Sequence, residues 1–288
     1  MKVLIIGAKG MLGQALVAEF SKSDHAVTAW DKQAADPKDR LDVTDLGEVR
    51  QKIIQLSPEI IINASAYTNV DGAETDKETA MLVNGRAVGY LAGVAKQIGA
   101  TLVHYSTDYV FDGAKPAGYT EDDAPNPISE YGRSKLRGEQ ELQELQSSTG
   151  RYYLIRLSRL FGMPGAGKVS AVEDRLKDLA TKGSTKAPDT EVSCFTYAPD
   201  LAKSTREIVE GSLPFGIYHR VNEGAVTWFR MAQMVAAKLG RGSVEKVAPD
   251  YFPRVAKIPQ YGILRSTKLP PMRRFTDALT DFINERQN

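Results

Sequence analysis

Short apolar runs alternate with stretches in which apolar residues recur every three or four positions. Lys2-Val3-Leu4-Ile5-Ile6 is the first run, and Met11, Leu12, Ala15, Leu16, Ala18 and Phe20 follow at helical spacing. Val27-Thr28-Ala29-Trp30 then reads as a strand, Leu46 to Leu56 as a helix, Glu59-Ile60-Ile61-Ile62-Asn63 as a strand, and Thr75 to Ile98 as a long helix. Thr101-Leu102-Val103-His104-Tyr105, a helix beginning near Tyr131, and Tyr153-Leu154-Ile155-Arg156-Leu157 continue the series. Strands alternating with helices imply βαβ units, hence an α/β, doubly wound parallel sheet with helices on both faces. Such sheets bind ligands beyond the carboxyl ends of their strands.

After Leu157 the rhythm breaks. Gly162 to Gly167 reads as a loop and Thr181 to Pro188 as another polar, turn-rich stretch. A helical pattern at Pro199–Glu210 and a strand-like Gly216–Val221 are expected to rejoin the main sheet. From Trp228 to Ile283 the pattern is helix–loop–helix, punctuated by Pro249, Pro253, Pro259, Pro270 and Pro271. The expected organisation is a nucleotide-binding unit at residues 1–158, with 198–221 returning to it, and a smaller mixed lobe from 159–197 and 222–288 that covers the substrate.

Composition narrows the setting. The 288 residues carry 42% apolar and 25% charged side chains and a net charge of +1, so neither a nucleic-acid partner nor a membrane surface is expected. No apolar run approaches the ~20 residues of a membrane span. The chain starts directly in a core strand, and its single cysteine, Cys194, forms no intramolecular disulfide. A cytoplasmic protein is the expectation. His25, His104 and His219 lack ligand-like spacing, so no metal site is expected.

The most informative stretch is Gly7-Ala8-Lys9-Gly10-Met11-Leu12-Gly13, between the first strand and the first helix. Gly7 permits a turn unfavourable to a side chain, Gly10 lets the main chain approach a pyrophosphate, and Gly13 lets helix and strand pack closely. The helix start, with Met11 and Leu12, offers free amides and a partial positive charge to the phosphates. This is the context of a Rossmann-type dinucleotide site, although the spacing is GxxGxxG and not GxGxxG. Asp31, at the end of the second strand, is placed to accept the adenosine ribose hydroxyls and to oppose a 2′-phosphate, favouring NADH; Lys9 and Lys32 lie close enough to pull towards NADPH. A helix cap or solvated loop carboxylate is the plainer role for Asp31. Asp42 and Val43 stand where the adenine could lie, unless this segment simply caps the next helix through Thr44 or Asp45. Small residues in Asn63-Ala64-Ser65-Ala66-Tyr67-Thr68 leave room for a cofactor at the third strand end.

Tyr131-Gly132-Arg133-Ser134-Lys135 puts a phenol and an ammonium four residues apart, on one face of a helix. A nearby cation lowers a tyrosine pKa towards one useful for proton transfer. Ser106-Thr107, after the fourth strand, supplies a hydroxyl where a third partner would sit.

Placed in this order, these segments resemble the extended short-chain dehydrogenase/reductases. Asn63-Ala64-Ser65-Ala66-Tyr67-Thr68-Asn69-Val70-Asp71, Ser106-Thr107-Asp108-Tyr109-Val110-Phe111-Asp112-Gly113 and Tyr131–Lys135 narrow the resemblance to the dTDP-4-dehydrorhamnose reductase family. It implies NAD(P)H-dependent reduction of the C4 keto group of a nucleotide-activated deoxysugar. Tyr131 would be the general acid, Lys135 would hold the nicotinamide ribose, Thr107 would bond the carbonyl oxygen and Asp108 a sugar hydroxyl. Gly10, Met11, Leu12, Asp31, Asp42, Val43, Ala66, Tyr67, Thr68 and Tyr105 match the family's cofactor positions. A monomer or homodimer is expected.

The second half departs from the family. Arg156-Leu157-Ser158-Arg159 replaces an R-T-S-W segment, Met163-Pro164-Gly165-Ala166-Gly167-Lys168 lacks the usual asparagine–phenylalanine pair, and Asp189-Thr190-Glu191-Val192-Ser193-Cys194-Phe195-Thr196 matches D-Q-x-G-x-P-T poorly. Arg159 thus stands at a substrate position, where its guanidinium favours a more anionic or polar sugar, unless it turns outward or joins a structural ion pair. Two other functions fit the same fold: a nucleotide-sugar epimerase and a non-catalytic NADP(H)-binding regulatory subunit. Tyr109, where a 4,6-dehydratase has glutamate, argues against dehydration.

Overall fold

The computed structural model describes residues 1–146, 150–166 and 169–287. Five strands in the first half, β1 (Lys2–Ile6), β2 (Ala26–Trp30), β3 (Ile60–Asn63), β4 (Thr101–Thr107) and β5 (Tyr152–Leu157), join the strand Gly216–His219 in one sheet. The spatial order is Gly216–His219, β5, β4, β3, β1, β2, and every pairing is parallel. Beyond β2 the chain makes one more, irregular, pass: Asp31 N donates to Asp39 O at 3.0 Å and Leu41 N to Asp31 O at 3.4 Å. The chain leaves β1 for β2 on one side and returns to β3 on the other, so the strand order reverses at β1. That reversal opens a crevice at the carboxyl edge.

Helices α1 (Met11–Phe20), α2 (Leu46–Leu56), α3 (Val70–Thr75), α4 (Lys77–Met81), α5 (Ala87–Ile98) and α6 (Glu130–Gln146) alternate with the strands. Side chains on successive strand residues point to opposite faces, so each strand feeds two cores. Leu4, Ile6, Leu102 and Leu154 pack with Val49, Ile53, Val88, Leu91 and Leu142 from α2, α5 and α6. On the other face Val3, Ile5, Val103 and Tyr105 pack with Leu12, Leu16 and Phe20 of α1 and with Leu201 from the helix Ala198–Glu210. The long helix expected at Thr75–Ile98 is interrupted, with a π-helical turn at Leu82–Arg86 between α4 and α5.

A third core, built on Phe161, Phe195, Tyr197, Met231, Phe275 and Phe282, organises the second half. The stretch Thr181–Pro188, expected as a loop, holds the strand Ser184–Pro188, paired in parallel with Ser243–Val247. Its alternation is carried by Thr185 and Ala187 inward and Ser184 and Lys186 outward, a pattern too polar to stand out from a turn. Gly167 and Lys168, the end of the expected Gly162–Gly167 loop and its neighbour, lie outside the described residues. Among the described residues, no helix is long and apolar enough to cross a membrane.

Candidate active site

The glycine turn is built by backbone crowding. Gly7 has φ +80°, and a Cβ there would stand 2.7 Å from Ser65 N at the end of β3. A Cβ on Gly13 would stand 2.0 Å from Gly7 O, so only glycine lets α1 come this close to the turn. Gly10 is the N-cap of α1 and makes no side-chain cap bond, leaving the amides at the start of α1 for an anion. A Cβ on Gly10 would meet only Gly7 O, at 3.2 Å. Leu12 buries its side chain in the core and Met11 is half-buried. The segment Gly162–Ala166 lies against this turn, with Ala166 N donating to Lys9 O at 2.8 Å.

Asp31 ties the turn to the end of β2. One carboxylate oxygen accepts Lys9 N at 3.0 Å and the other accepts Gln33 N at 2.8 Å. Each oxygen keeps lone pairs for further donors. Beside it a cleft of about 540 Å³ is lined by Ala8, Lys9, Ala29, Asp31, Ala34 and Asp39, among others. The two lysines are both engaged: Lys9 Nζ donates to Gln33 O at 2.6 Å and Lys32 Nζ pairs with Asp42 at 2.7 Å. Asp42 also accepts Thr44 N and Oγ1, at 3.0 and 2.7 Å. Burial raises its carboxyl pKa, but Lys32 and Thr44 outweigh that and hold it below the usual range. Asp45, not Thr44, caps α2 by accepting Glu48 N. Val43 lies in the core with Trp30 and Leu41. At the end of β3, Ala66 and Thr68 are exposed and Tyr67 is half-buried. Tyr67 is held through its backbone by Asn84, in the π-helical turn: Asn84 Oδ1 accepts Tyr67 N and Asn84 Nδ2 donates to Tyr67 O, both at 2.9 Å.

The structure brings Tyr131, Thr107, Asp108 and Lys135 to the carboxyl edge of β4. Lys135, 3% exposed, donates from Nζ to Tyr105 O at 2.6 Å. Tyr105 therefore faces this site through its carbonyl alone; its phenol lies on the opposite face of the sheet, hydrogen-bonded to Thr205 at 2.8 Å. Burial lowers the Lys135 pKa to about 8, against an opposing pull from Glu139. Burial also raises the Tyr131 phenol, and Asp108 and Tyr109 add to it, while its bond with Thr107 opposes them. The expected lowering of the tyrosine by the lysine is thus not what this fold shows: burial drives both groups towards their neutral forms, and the phenol keeps its proton. Thr107 Oγ1 donates to Asp108 Oδ1 at 3.0 Å, and Ser158 Oγ donates to Asp108 Oδ2 at 2.8 Å. Burial raises the Asp108 carboxyl, with Arg159, Ser158 and Thr107 opposing.

Arg159 has φ +43°, in the left-handed region that side chains rarely adopt. Its guanidinium donates to Tyr109 Oη and to Glu191 Oε2, each at 3.1 Å, and lies 4.6 Å from the Trp228 ring centroid. Glu191 Oε2 also accepts Trp228 Nε1 at 3.0 Å. The charge is paired, as in the ion-pair alternative, which removes the ground for a preference for anionic sugars. Glu191, within the run that matches D-Q-x-G-x-P-T poorly, joins the site, and Trp228, Asn84 and Gly262 join it without any sequence signal. A Cβ on Gly262 would stand 2.3 Å from Asp108 Oδ2.

The sequence matches the RmlD substrate binding domain family over residues 1–288. The chain belongs to this family. A relative of the family, the probable dTDP-4,6-dihydroxy-2-methyloxan-3-one 4-ketoreductase of Streptomyces antibioticus, is 37% identical over 292 residues, covering 98% of this chain and 94% of that one. The dTDP-4-dehydrorhamnose reductase of Streptomyces griseus is 32% identical over 289 residues, covering 96% and 91%. Among solved structures, dTDP-4-dehydrorhamnose reductase from Bacillus anthracis, in complex with NADP, superposes with a TM-score of 0.90 at 31% identity and 99% coverage of both chains.

Proposed function

We propose that the chain is an NAD(P)H-dependent reductase acting on the C4 keto group of a dTDP-activated deoxysugar, as the names of its relatives in Streptomyces and Bacillus suggest. The observation that carries the reading is the half-buried Tyr131 phenol, in contact with Thr107 and pushed towards its protonated form, one helical turn from a lysine whose ammonium is anchored on a single carbonyl. The glycine turn, Asp31, Ala66–Thr68 and Lys135 would hold the dinucleotide. Bound there, its nicotinamide supplies a hydride. Tyr131 gives its proton to the C4 oxygen, and Thr107 orients that oxygen by turning its one hydroxyl hydrogen to it from Asp108. Asp108, still held by Ser158, accepts a sugar hydroxyl. Lys135 keeps an N–H with no protein acceptor among the described residues, available to the ribose. Arg159, stacked on Trp228, contributes to the wall of the sugar pocket. We take the protein to work in the cytoplasm as a monomer or homodimer.

The test is turnover of NADH and NADPH against a panel of dTDP-4-keto-6-deoxyhexoses. Oxidation of cofactor in step with loss of the ketone is expected, with the protein purifying free of dinucleotide. NAD retained through purification, with no net reduction, would favour the epimerase reading; binding without turnover would favour the regulatory one.

A further inference from the structure

His104 belongs to none of the roles above, yet it is 1% exposed and lies between two groups that matter. Its Nδ1 is 3.2 Å from Asn63 Nδ2 and its Nε2 is 3.5 Å from Lys135 Nζ. The orientation of the Asn63 amide follows from its other end. Ser65 N and Ser65 Oγ both approach Asn63 Oδ1, at 3.1 and 2.6 Å. A backbone N–H can only donate, so that atom is the oxygen and the atom facing His104 is the NH₂ group. His104 Nδ1 must then accept, and in the neutral ring the hydrogen sits on Nε2, pointing at Lys135. Burial and the lysine charge both hold the ring neutral.

Lys135 therefore faces an acceptor on one side, Tyr105 O, and a donor on the other. As an ammonium it bonds Tyr105 O and is disfavoured by the imidazole N–H; as an amine it accepts that N–H. Among the described residues, the further charged or titratable groups beside it are Tyr131 and Glu139 on its own helix, and Glu139 is paired with Arg156 of β5 at 2.7 Å. Resting on the reading of Tyr131 and Lys135 given above, we propose that His104 is a positioning residue for the reduction: held in one tautomer by Asn63, it sets the balance between the ammonium and amine forms of Lys135.

The proposal is tested by following the Lys135 resonance in protein labelled with ¹³Cε-lysine, assigned by its loss in Lys135→Met. His104→Phe removes the N–H and keeps a ring. Asn63→Asp keeps the shape but accepts from Nδ1, which moves the ring hydrogen to Nδ1 and turns Nε2 into an acceptor for the ammonium. Both variants are expected to raise the Lys135 titration by about one pH unit, the scale of one hydrogen bond to a charged group. The alkaline limb of kcat/KM should move with it, a shift that a loss of stability alone would not produce. A titration that stays put or falls in the folded variants overturns the proposal; because the new carboxylate of Asn63→Asp attracts the ammonium by charge alone, His104→Leu, which removes the N–H without adding charge, decides the matter should His104→Phe not fold. A raised titration in the variants, with a wild-type protein that reduces no keto sugar, would sink the reductase reading and leave the coupling of His104 to Lys135 standing. Turnover with an unmoved titration would sink the coupling alone.

Discussion

Tyr131 and Lys135 share one helix face, and burial moves them in opposite directions: the phenol holds its proton more tightly and the ammonium less. An acid that must be protonated at rest is well served by that arrangement. Tyr131→Phe is expected to leave dinucleotide affinity unchanged in a binding titration and to reduce turnover by about 10²–10⁴-fold. The pH dependence has a definite sign. Lys135 carries its charge below a pKa of about 8, and the ammonium is the form that bonds Tyr105 O. kcat/KM is expected to be level below that pH and to fall about tenfold per unit above it; a profile flat to pH 10 would remove Lys135 from the rate-determining ionisations. Asp31 supports a third expectation. Its carboxylate opposes a 2′-phosphate, and Lys9 and Lys32 are spent on Gln33 O and Asp42, so NADH should serve at least as well as NADPH. Comparison of the two kcat/KM values decides this, and a tenfold preference for NADPH would mean that a lysine leaves its partner for the phosphate.

At the scale of elements, α6 carries Tyr131, Lys135 and Glu139 at successive four-residue steps, one face of the helix turned to the sheet. Glu139 anchors that face. Its carboxylate is bonded by Arg156 Nε and Nη2 of β5 at 3.0 and 2.7 Å, with both side chains within 2% of full burial. Removing one partner of such a pair leaves a buried charge unpaired. Arg156→Met is therefore expected to cost about 3–5 kcal/mol in urea unfolding, and Arg156→Met with Glu139→Leu to recover most of it. Equal losses in the single and double variants would show that packing, not the charge, sets the cost. The Tyr131/Lys135 spacing is local and could be read from the chain. The Glu139–Arg156 pair could not, because it joins two elements whose register on each other no local pattern encodes.

Across the whole molecule, a strap from the second half runs over the carboxyl edge of the first. Asp71 accepts Val255 N and Ala256 N at 3.1 and 3.0 Å and pairs with Arg254 at 2.9 Å. Further along, Tyr261 N donates to Gly113 O, and Tyr119 bridges to Leu264. Gly262, between these ties, leaves room for Asp108: a Cβ there would stand 2.3 Å from Asp108 Oδ2 and 2.8 Å from Ser193 Oγ. Gly262→Val should displace that carboxylate and lower kcat/KM by about 10–100-fold, the usual penalty for misplacing a substrate contact by an ångström, beside a loss of about 1–3 kcal/mol of stability from overpacking. Unaltered kinetics in the folded variant would show that Asp108 does not orient the sugar.

The parallel sheet, the glycine turn and the Tyr131/Lys135 face were legible in the chain because each rests on neighbours in sequence: alternating runs, a left-handed φ that favours glycine at position 7, a four-residue helical step. Asp31 was legible as a position and its bond to Gln33 N is local, but its bond to Lys9 N depends on how two loops meet. The strand Ser184–Pro188 was hidden because its inward residues are a threonine and an alanine, and it is the pairing with Ser243–Val247 that makes it a strand. Arg159 shows the same division. Its identity raised the question of an anionic sugar, while Glu191 and Trp228, from distant segments, decided that its charge is already matched. The tautomer of His104 lies at the far end of this scale, set by Ser65 acting through Asn63 on another strand. Contacts between segments far apart in the chain cost no local conformational preference to encode, so they leave no pattern along it, and only packing the sheet brings them into being.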